Sequence, residues 1–180
     1  MEKTGDYEKS RLNRVVEKAG LRDLLLKDKR FQAPSRPLKL AILRQLGLGD
    51  VTEFGPQSFD AIMTSAPRPP VAKDNLDQII SDLVLVEMKT TKKAIKDESL
   101  AGFFFGATQR EYHLAERLGS RFRFAFVVLN SDNDYGKPFA VLLTLDEVER
   151  RTRSKRIQFQ VNLWSSRQSA NQSTSGLLIV

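Results

Sequence analysis

The apolar run from Ile79 to Thr91 constrains the fold of this chain more than any other sequence feature. Apolar side chains occupy both odd and even positions of the run as far as Val86. Because side chains alternate between the two faces of a strand, this pattern predicts a strand that is buried on both faces. Such a strand lies inside a sheet that is covered above and below. We therefore predict a mixed α/β fold with Ile79 to Thr91 as a central strand.

The segments around this strand fit the same fold class. Two capping boxes, Thr108 to Glu111 and Thr144 to Glu147, predict the starts of two helices, and Gly119 is expected to end the first of them. Apolar residues at helical spacing predict two earlier helices. These further elements are a helix over Leu12 to Ala19 with Gly20 as its cap, a helix over Pro37 to Leu46 between Ser35 and Gly47, and strands over Ser58 to Thr64, Arg121 to Asn130, Phe139 to Leu143 and Ile157 to Leu163.

The composition excludes several kinds of site. The chain has no cysteine and a single histidine, His113, so it cannot supply disulfides, thiolate zinc sites or zinc sites with two imidazoles. Lys and Arg number 29 against 22 Asp and Glu, which gives a net charge of +7. This excess favours a polyanionic partner, either nucleic acid or an anionic membrane surface, although it also fits a basic protein without such a ligand.

The sequence predicts neither a membrane span nor a secretory signal. The longest apolar runs, such as Phe124 to Leu129, are far shorter than the roughly 20 residues that cross a bilayer. Residues Met1 to Asp6 carry no apolar stretch of the kind found in a secretory signal. We therefore expect a cytoplasmic protein with no membrane partner.

Two charged residues near the end of the central strand indicate a functional site. Glu87 and Lys89 are separated by one residue, so their side chains project from the same face. Charged groups in so apolar a strand are costly to bury unless something binds them. Asp60, in the preceding predicted strand, can reach the same place. The structural alternatives are a solvent-facing ion pair on an edge strand for Glu87 and Lys89, and a turn position for Asp60.

Two carboxylates beside a lysine suit the hydrolysis of phosphodiester bonds. Mg²⁺ prefers oxygen ligands and commonly takes only one or two protein carboxylates, so Asp60, Glu87 and the main-chain carbonyl of Met88 are candidate ligands. Bound metal lowers the pKa of a water molecule and offsets the negative charge that accumulates during attack. Lys89 can position or help deprotonate that water, or stabilise the transition state. Asp60, Glu87 and Lys89 are therefore the candidate catalytic residues.

Asp60, followed after a long connection by Glu87-Met88-Lys89, resembles the PD-(D/E)xK nuclease superfamily, which has the restriction-endonuclease-like fold. The predicted order of a leading helix, a three-strand meander, a helix and a further strand is similar to that family over roughly residues 12–130. The resemblance implies that Asp60 and Glu87 bind metal and that Lys89 acts in the attack. Gln109 is a further candidate, because some family members place polar site residues at the start of the helix after the catalytic strand.

The resemblance implies a Mg²⁺-dependent DNA endonuclease that accepts Mn²⁺ as a substitute, with a type II restriction enzyme as the leading role. Because one such centre cuts one strand, cleavage of double-stranded DNA implies a homodimer. Two alternatives stay open. One is a repair or recombination nuclease that selects DNA structure, and the other is a non-catalytic nucleic-acid-binding module with the same fold. RNA as the substrate also stays open.

Basic residues follow the candidate catalytic strand and recur near the last predicted helix. Either run could bind phosphates, which would give affinity without sequence selection. The alternative for both runs is a solvated surface with nothing bound. The candidate phosphate-binding residues are Lys92, Lys93 and Lys96 in the first run, and Arg150, Arg151, Arg153, Lys155 and Arg156 in the second.

The chain length predicts one domain, because 180 residues are too few for two ordinary ones. We place a nuclease-like domain at residues 1–164. Residues 1–50 supply N-terminal helices, residues 51–130 supply the catalytic core, and residues 131–164 supply strands and a short helix. Residues 165–180 form a polar tail, in which Gly176 to Val180 could add an edge strand.

Overall fold

The structure of the chain, a computed structural model, describes residues 4–49, 53–130 and 137–154, with side chains in the first helix described from Val15 onward. These ranges form a five-stranded mixed sheet with helices packed on it, which confirms the predicted mixed α/β class. The helices are α1 (Thr4–Lys27), α2 (Arg36–Gln45), α3 (Leu76–Ile79), α4 (Gln109–Leu118) and α5 (Leu145–Arg151), and the strands are β1 (Phe31–Gln32), β2 (Ala61–Met63), β3 (Val84–Thr91), β4 (Phe122–Val128) and β5 (Phe139–Leu143).

The strands are arranged in the sheet in the same order as in the sequence. β1, β2 and β3 pair antiparallel, and β5 pairs antiparallel with β4. β3 and β4 pair parallel, and α4 provides the crossover that a parallel pair needs. β3 therefore has a neighbour on each side, as predicted for a central strand. The alternative in which Glu87 and Lys89 lie on an edge strand is wrong.

Alternation along the strands separates two hydrophobic layers. On β4, Phe124 and Phe126 belong to the layer that contains residues of α2, α4 and α5, which we call the near layer. Ala125 and Val127 belong to the layer that packs against α1, which we call the far layer. This division of β4 follows from the two-residue period of a strand. Each face of the sheet is therefore covered by helices.

The start of the central strand differs from the prediction. Residues that were expected to begin the strand instead form α3 and a 3₁₀ turn over Ile80–Asp82, and β3 begins at Val84. Leu76 and Ile79 are buried one helical turn apart. A short apolar run fits a buried helical turn as well as a buried strand, so periodicity alone could not separate the two.

Gly20 is not a helix cap, because α1 continues past it to Lys27. A Cβ atom built at Gly20 would lie 2.3 Å from Oγ1 of Thr90 on β3. The glycine is needed because α1 and β3 approach each other closely at this point. The predicted cap therefore marks a contact between the helix and the strand instead.

The other predicted helix boundaries agree with the structure. Ser35 caps α2, and Thr108 and Thr144 form the predicted capping boxes of α4 and α5. Gly119 follows α4 as expected. Within the described ranges, none of the helices has both the length and the apolar character needed to cross a bilayer. The strand predicted over residues 157–163 and the edge strand at residues 176–180 lie outside the described residues.

Candidate active site

The candidate site lies where β2 begins beside β3. β2 starts at Ala61, so Asp60 immediately precedes the strand instead of lying within the predicted strand Ser58 to Thr64. Its main-chain N–H donates to the carbonyl of Val86 at 2.9 Å. The next link between the two segments is a side-chain contact, in which the Met88 N–H donates to Oδ2 of Asp60 at 2.9 Å. A carboxylate thus takes the place that a strand carbonyl usually occupies. This bond holds the Asp60 side chain against the main chain of the strand that carries Glu87 and Lys89.

Met88 contributes to this place through its main chain alone. Its side chain is 4% exposed and packs in the far layer. In a strand, the N–H and the carbonyl of one residue point toward the same neighbouring strand. Since the Met88 N–H reaches Asp60, its carbonyl is directed to the Asp60 side of β3 as well.

Glu87, Lys89 and Glu111 form a buried ionic cluster. Lys89 Nζ donates to Oε1 of Glu87 at 2.9 Å and to Oε2 of Glu111 at 2.7 Å. The three side chains are between 8% and 11% exposed. The predicted projection of Glu87 and Lys89 from one face is thus present, and the ammonium lies between two carboxylates.

The surroundings of Glu87 favour its protonated form. Burial raises the pKa of Glu87 to about 9, and the charges of Asp60 and Glu111 also raise it, while Lys89 opposes the shift. Burial lowers the pKa of Lys89, but its contacts with the two carboxylates outweigh burial and raise the pKa overall. Lys89 is therefore a cation, whereas the carboxyl beside it lacks full compensation.

A second lysine, Lys39 on α2, reaches the same place. Its Nζ donates to the main-chain carbonyl of Phe59 and lies 5.0 Å from the centroid of the Phe59 ring. Burial lowers the pKa of Lys39, and the charges of Asp60 and Glu87 oppose that shift. Lys39 therefore holds the residue before Asp60 and adds positive potential near both carboxylates.

Sequence reasoning missed Glu111 and Lys39 as site residues. Glu111 was identified only as the fourth residue of a capping box, and its Oε2 does accept from the Thr108 N–H at 3.1 Å. The same oxygen atom accepts from Lys89. The capping box predicted where this carboxylate would lie on α4 but carried no signal of the second contact. No sequence pattern distinguished Lys39 from other lysines.

Gln109 lies in a different environment from Glu111. Its side chain is exposed, and its Nε2 lies 3.4 Å from Nε2 of His113 one turn along α4. The other ring nitrogen of His113 contacts Glu53. Gln109 therefore lies beside His113, whereas Glu111 contacts Lys89 of the candidate site.

The two basic runs meet at the connection between β3 and α4, residues 92–108, which we call the β3–α4 connection. Lys92, Lys93 and Lys96 are exposed there, and Lys93 Nζ donates to the Gly102 carbonyl at 3.3 Å. From the end of α5, Arg151 donates to the Glu98 carbonyl at 3.1 Å. Arg150 and Arg153 are also exposed, and Lys155 and Arg156 lie outside the described residues.

The donor set at the site is compatible with a hard cation that needs few protein ligands. No group of three or more His, Cys, Asp or Glu side chains that could hold a metal ion occurs in the described part of the chain. Mg²⁺ commonly uses one or two carboxylates and completes its coordination with water and substrate oxygens. Asp60, Glu87 and the Met88 carbonyl would supply such a set. Burial and the neighbouring carboxylates raise the pKa of Glu87, and a cation bound there would favour its ionised form.

Comparisons with protein-family models, with curated proteins and with solved structures found no match to this chain. The functional argument therefore depends on the geometry of the site.

Proposed function

We propose that this chain is a Mg²⁺-dependent endonuclease that hydrolyses phosphodiester bonds in DNA. The observation that carries the proposal is the proximity of Asp60, Glu87 and Lys89 beside β3, where β2 begins. The order of elements adds support. α1 comes first, β1 to β3 are antiparallel neighbours, and α4 leads to the parallel strand β4, as the resemblance to the restriction-endonuclease-like fold implies.

In this proposal Asp60, Glu87 and the Met88 carbonyl hold the metal ion. The bound ion supplies a water molecule of lowered pKa and offsets the charge that develops on the phosphate. Asp60 is already fixed by the Met88 N–H, so it needs little rearrangement. Glu87 must lose its proton to act as a ligand, because a coordinating carboxylate is ionised.

Lys89 acts in this proposal as a fixed positive charge. Its raised pKa makes it a poor proton acceptor at neutral pH, which favours stabilisation of the transition state over deprotonation of water. Glu87 and Glu111 hold the ammonium from two sides. Glu111 is therefore a positioning residue, and so is Lys39, which holds the peptide before Asp60.

The substrate assignment depends on charge. The chain has a net charge of +7, and exposed lysines and arginines meet at the β3–α4 connection. Contacts of this kind bind phosphates in any sequence. A type II-like restriction endonuclease acting as a homodimer on double-stranded DNA is the leading role. One specific observation, the exposed ring of Phe104 beside these lysines, favours the alternative of a nuclease that selects DNA structure.

The test is cleavage of supercoiled plasmid in Mg²⁺, Mn²⁺, Ca²⁺ or EDTA. We expect cutting in Mg²⁺ and Mn²⁺, binding with little cutting in Ca²⁺, and no cutting in EDTA. Lys89→Ala serves as the inactive variant, and Lys29→Ala, an exposed lysine outside the site, serves as its matched control. Undiminished cleavage in EDTA would refute metal dependence. Tight DNA binding without cleavage in any divalent ion would instead support a non-catalytic binding module.

Cleavage of linear duplex DNA separates the two nuclease roles. A restriction enzyme produces discrete bands from a long linear duplex. A structure-selective nuclease leaves that duplex intact and cuts branched, looped or single-stranded DNA of the same sequence.

A further inference from the structure

Phe104, in the β3–α4 connection, projects its ring into solvent. It is the most exposed large apolar side chain in the described ranges, at 88%. The next most exposed is Leu26, at 63%. Full burial of a phenylalanine side chain contributes roughly 1.5 to 3 kcal/mol, so the free protein forgoes that stabilisation here. A lone exposed apolar residue needs no functional explanation. The surroundings of Phe104 provide the reason to consider one.

The residues on either side of Phe104 fix its direction. The rings of Phe103 and Phe105 pack edge-to-face against Phe126, with centroids 5.2 Å and 5.0 Å away. The Phe103 N–H donates to the Leu100 carbonyl at 2.9 Å. Phe103 and Phe105 are partly buried against Phe126, whereas the ring of Phe104 between them faces solvent. The segment that carries the exposed ring is therefore anchored to β4 through Phe126.

The attachment continues on the N-terminal side of the ring. Lys93 donates to the Gly102 carbonyl at 3.3 Å, and both Leu100 and Gly102 have left-handed backbone angles, with φ of 61° and 82°. A left-handed leucine is uncommon and persists only where the surroundings hold it. This part of the connection is therefore a shaped turn.

The segment lies next to the candidate active site. Phe126 is the direct strand partner of Lys89, and both side chains are on the near-layer face of the sheet. Phe126 lies one strand spacing from Lys89. Phe103 and Phe105 contact Phe126, so the segment that carries Phe104 lies beside Lys89. A ligand at the candidate site can therefore extend to this ring.

The charge around Phe104 suits a polyanion. Lys92, Lys93 and Lys96 are exposed in the same connection, opposed by Asp97 and Glu98. The Asp97 carboxylate accepts a hydrogen bond from the Ser99 N–H at 3.0 Å, so one of its oxygen atoms is engaged within its own turn. Arg151 adds a further positive charge through its contact with the Glu98 carbonyl. These cationic groups thus lie along the part of the connection that precedes Phe104.

We propose that Phe104 stacks on an unpaired base of a nucleic acid whose backbone lies along the β3–α4 connection, so that the preferred substrate contains unpaired nucleotides. Aromatic rings stack on the face of any base, and lysines beside them bind the phosphates. In an intact duplex the base faces are covered by their neighbours, so stacking selects for single-stranded, looped or branched DNA. A protein partner fits less well, because the centres of protein interfaces are depleted of lysine. The inference extends the proposed function, since it takes nucleic acid as the ligand of the same face.

The test measures binding without cleavage, by fluorescence anisotropy in EDTA. The ligands are a single strand, its perfect duplex, and the same duplex with a central loop of unpaired nucleotides. Phe104→Ala should weaken binding to the single strand and the looped duplex by about 5- to 150-fold, which corresponds to roughly 1 to 3 kcal/mol per stacked base. Binding to the perfect duplex should change by less than about twofold, because phosphate contacts supply nearly all of its affinity.

Two variants separate stacking from a general loss of apolar surface. Phe104→Tyr keeps a ring and should keep the preference for unpaired nucleotides. Leu26→Ala removes an exposed apolar side chain from α1, on the opposite face of the sheet, and should leave all three affinities unchanged. Light scattering on Phe104→Ala reports whether the ring contacts a second copy of the chain.

The outcomes distinguish this inference from the proposed function. Equal losses of affinity for the duplex and the looped ligand in Phe104→Ala would overturn stacking, and so would unchanged affinity for all three ligands. A shift of the protein to monomer in that variant, with nucleic-acid binding unaltered, would overturn it as well. Selective loss of binding to unpaired nucleotides supports it even if the wild-type protein cuts no DNA in Mg²⁺, an outcome that refutes only the nuclease proposal.

Discussion

Replacing Glu87 with glutamine should remove a dependence of stability on pH that the buried carboxyl imposes on the metal-free protein. Burial raises the pKa of Glu87 from an ordinary value of 4.5 to about 9. Between these two values the folded protein holds a proton on Glu87 that the unfolded chain has released. The stability contributed by this group is therefore fully present below about pH 4.5 and is lost as the pH rises toward 9.

The expected magnitude follows from one proton. A difference of one bound proton changes the free energy of unfolding by about 1.4 kcal/mol per pH unit. From pH 6 to pH 8, Glu87 should therefore lower the stability of the wild-type protein by roughly 3 kcal/mol relative to the glutamine variant. For a chain of this size that difference corresponds to roughly 6 to 12 °C in Tm. Glutamine keeps an oxygen that can accept from Lys89, so the variant should fold.

The assay is thermal unfolding followed by circular dichroism at pH 6, 7 and 8 in EDTA, with Glu98→Gln as a control at an exposed carboxylate. Comparison between variants cancels the pH dependence of the groups that all of them share. Added Mg²⁺ should stabilise the wild-type protein more at pH 8 than at pH 6, because the ligand form of Glu87 is ionised. Parallel pH profiles for the wild-type protein and Glu87→Gln would refute the inference that the folded site holds this proton.

Three further predictions concern the proposed reaction and its substrate. Lys89→Ala should lower the cleavage rate by about 100- to 1000-fold without rescue by higher Mg²⁺, whereas Asp60→Asn should regain part of its activity as Mg²⁺ is raised, as measured by cleavage rate against metal concentration. Replacing Arg151 and Arg153 together by alanine should reduce the slope of log affinity against log salt by about two units in a binding titration. Glu111→Gln should lower kcat with little change in KM and move the alkaline limb of the pH–rate profile to lower pH, because the Glu111 charge helps to raise the pKa of Lys89.

Each of these variants has its own control. Circular dichroism at the assay temperature shows whether Lys89→Ala is folded, since removal of one partner from a buried ionic cluster destabilises a protein. Replacing Lys18 and Arg22, exposed on α1, should leave the salt slope unchanged. A slope that stays the same after loss of Arg151 and Arg153 would make the second basic run an ordinary solvated surface. An unmoved pH profile in Glu111→Gln would contradict its positioning role.

Local rules were sufficient to predict the central part of the candidate site. The two-residue period of a strand placed Glu87 and Lys89 on one face, and the structure shows them in contact. The capping boxes at Thr108 and Thr144 predicted the starts of α4 and α5. These features depend on residues close together in sequence, and their geometry is nearly independent of the rest of the fold.

Contacts between distant segments could not be predicted in this way. Lys39 and Asp60 lie close together because α2 packs beside the start of β2, and no local pattern determines that packing. The capping box already explained the presence of Glu111, so nothing in the sequence indicated its second contact, with Lys89. The turn over Ile80–Asp82 was missed because an apolar run of this length fits either a strand or a buried helix.

The alternation of β3 between two layers also bears on how the length of this chain can change. Glu87 and Lys89 face the near layer, while Val86 and Met88 face the far layer. Inserting or deleting one residue within β3 would exchange these sets, placing a carboxylate and an ammonium under α1 and apolar side chains at the candidate site. The exposed stretch at residues 65–70 lies between β2 and β3 and can lengthen at small entropic cost. Natural variation in chain length should therefore accumulate in that stretch, and the eight residues of β3 should keep their number.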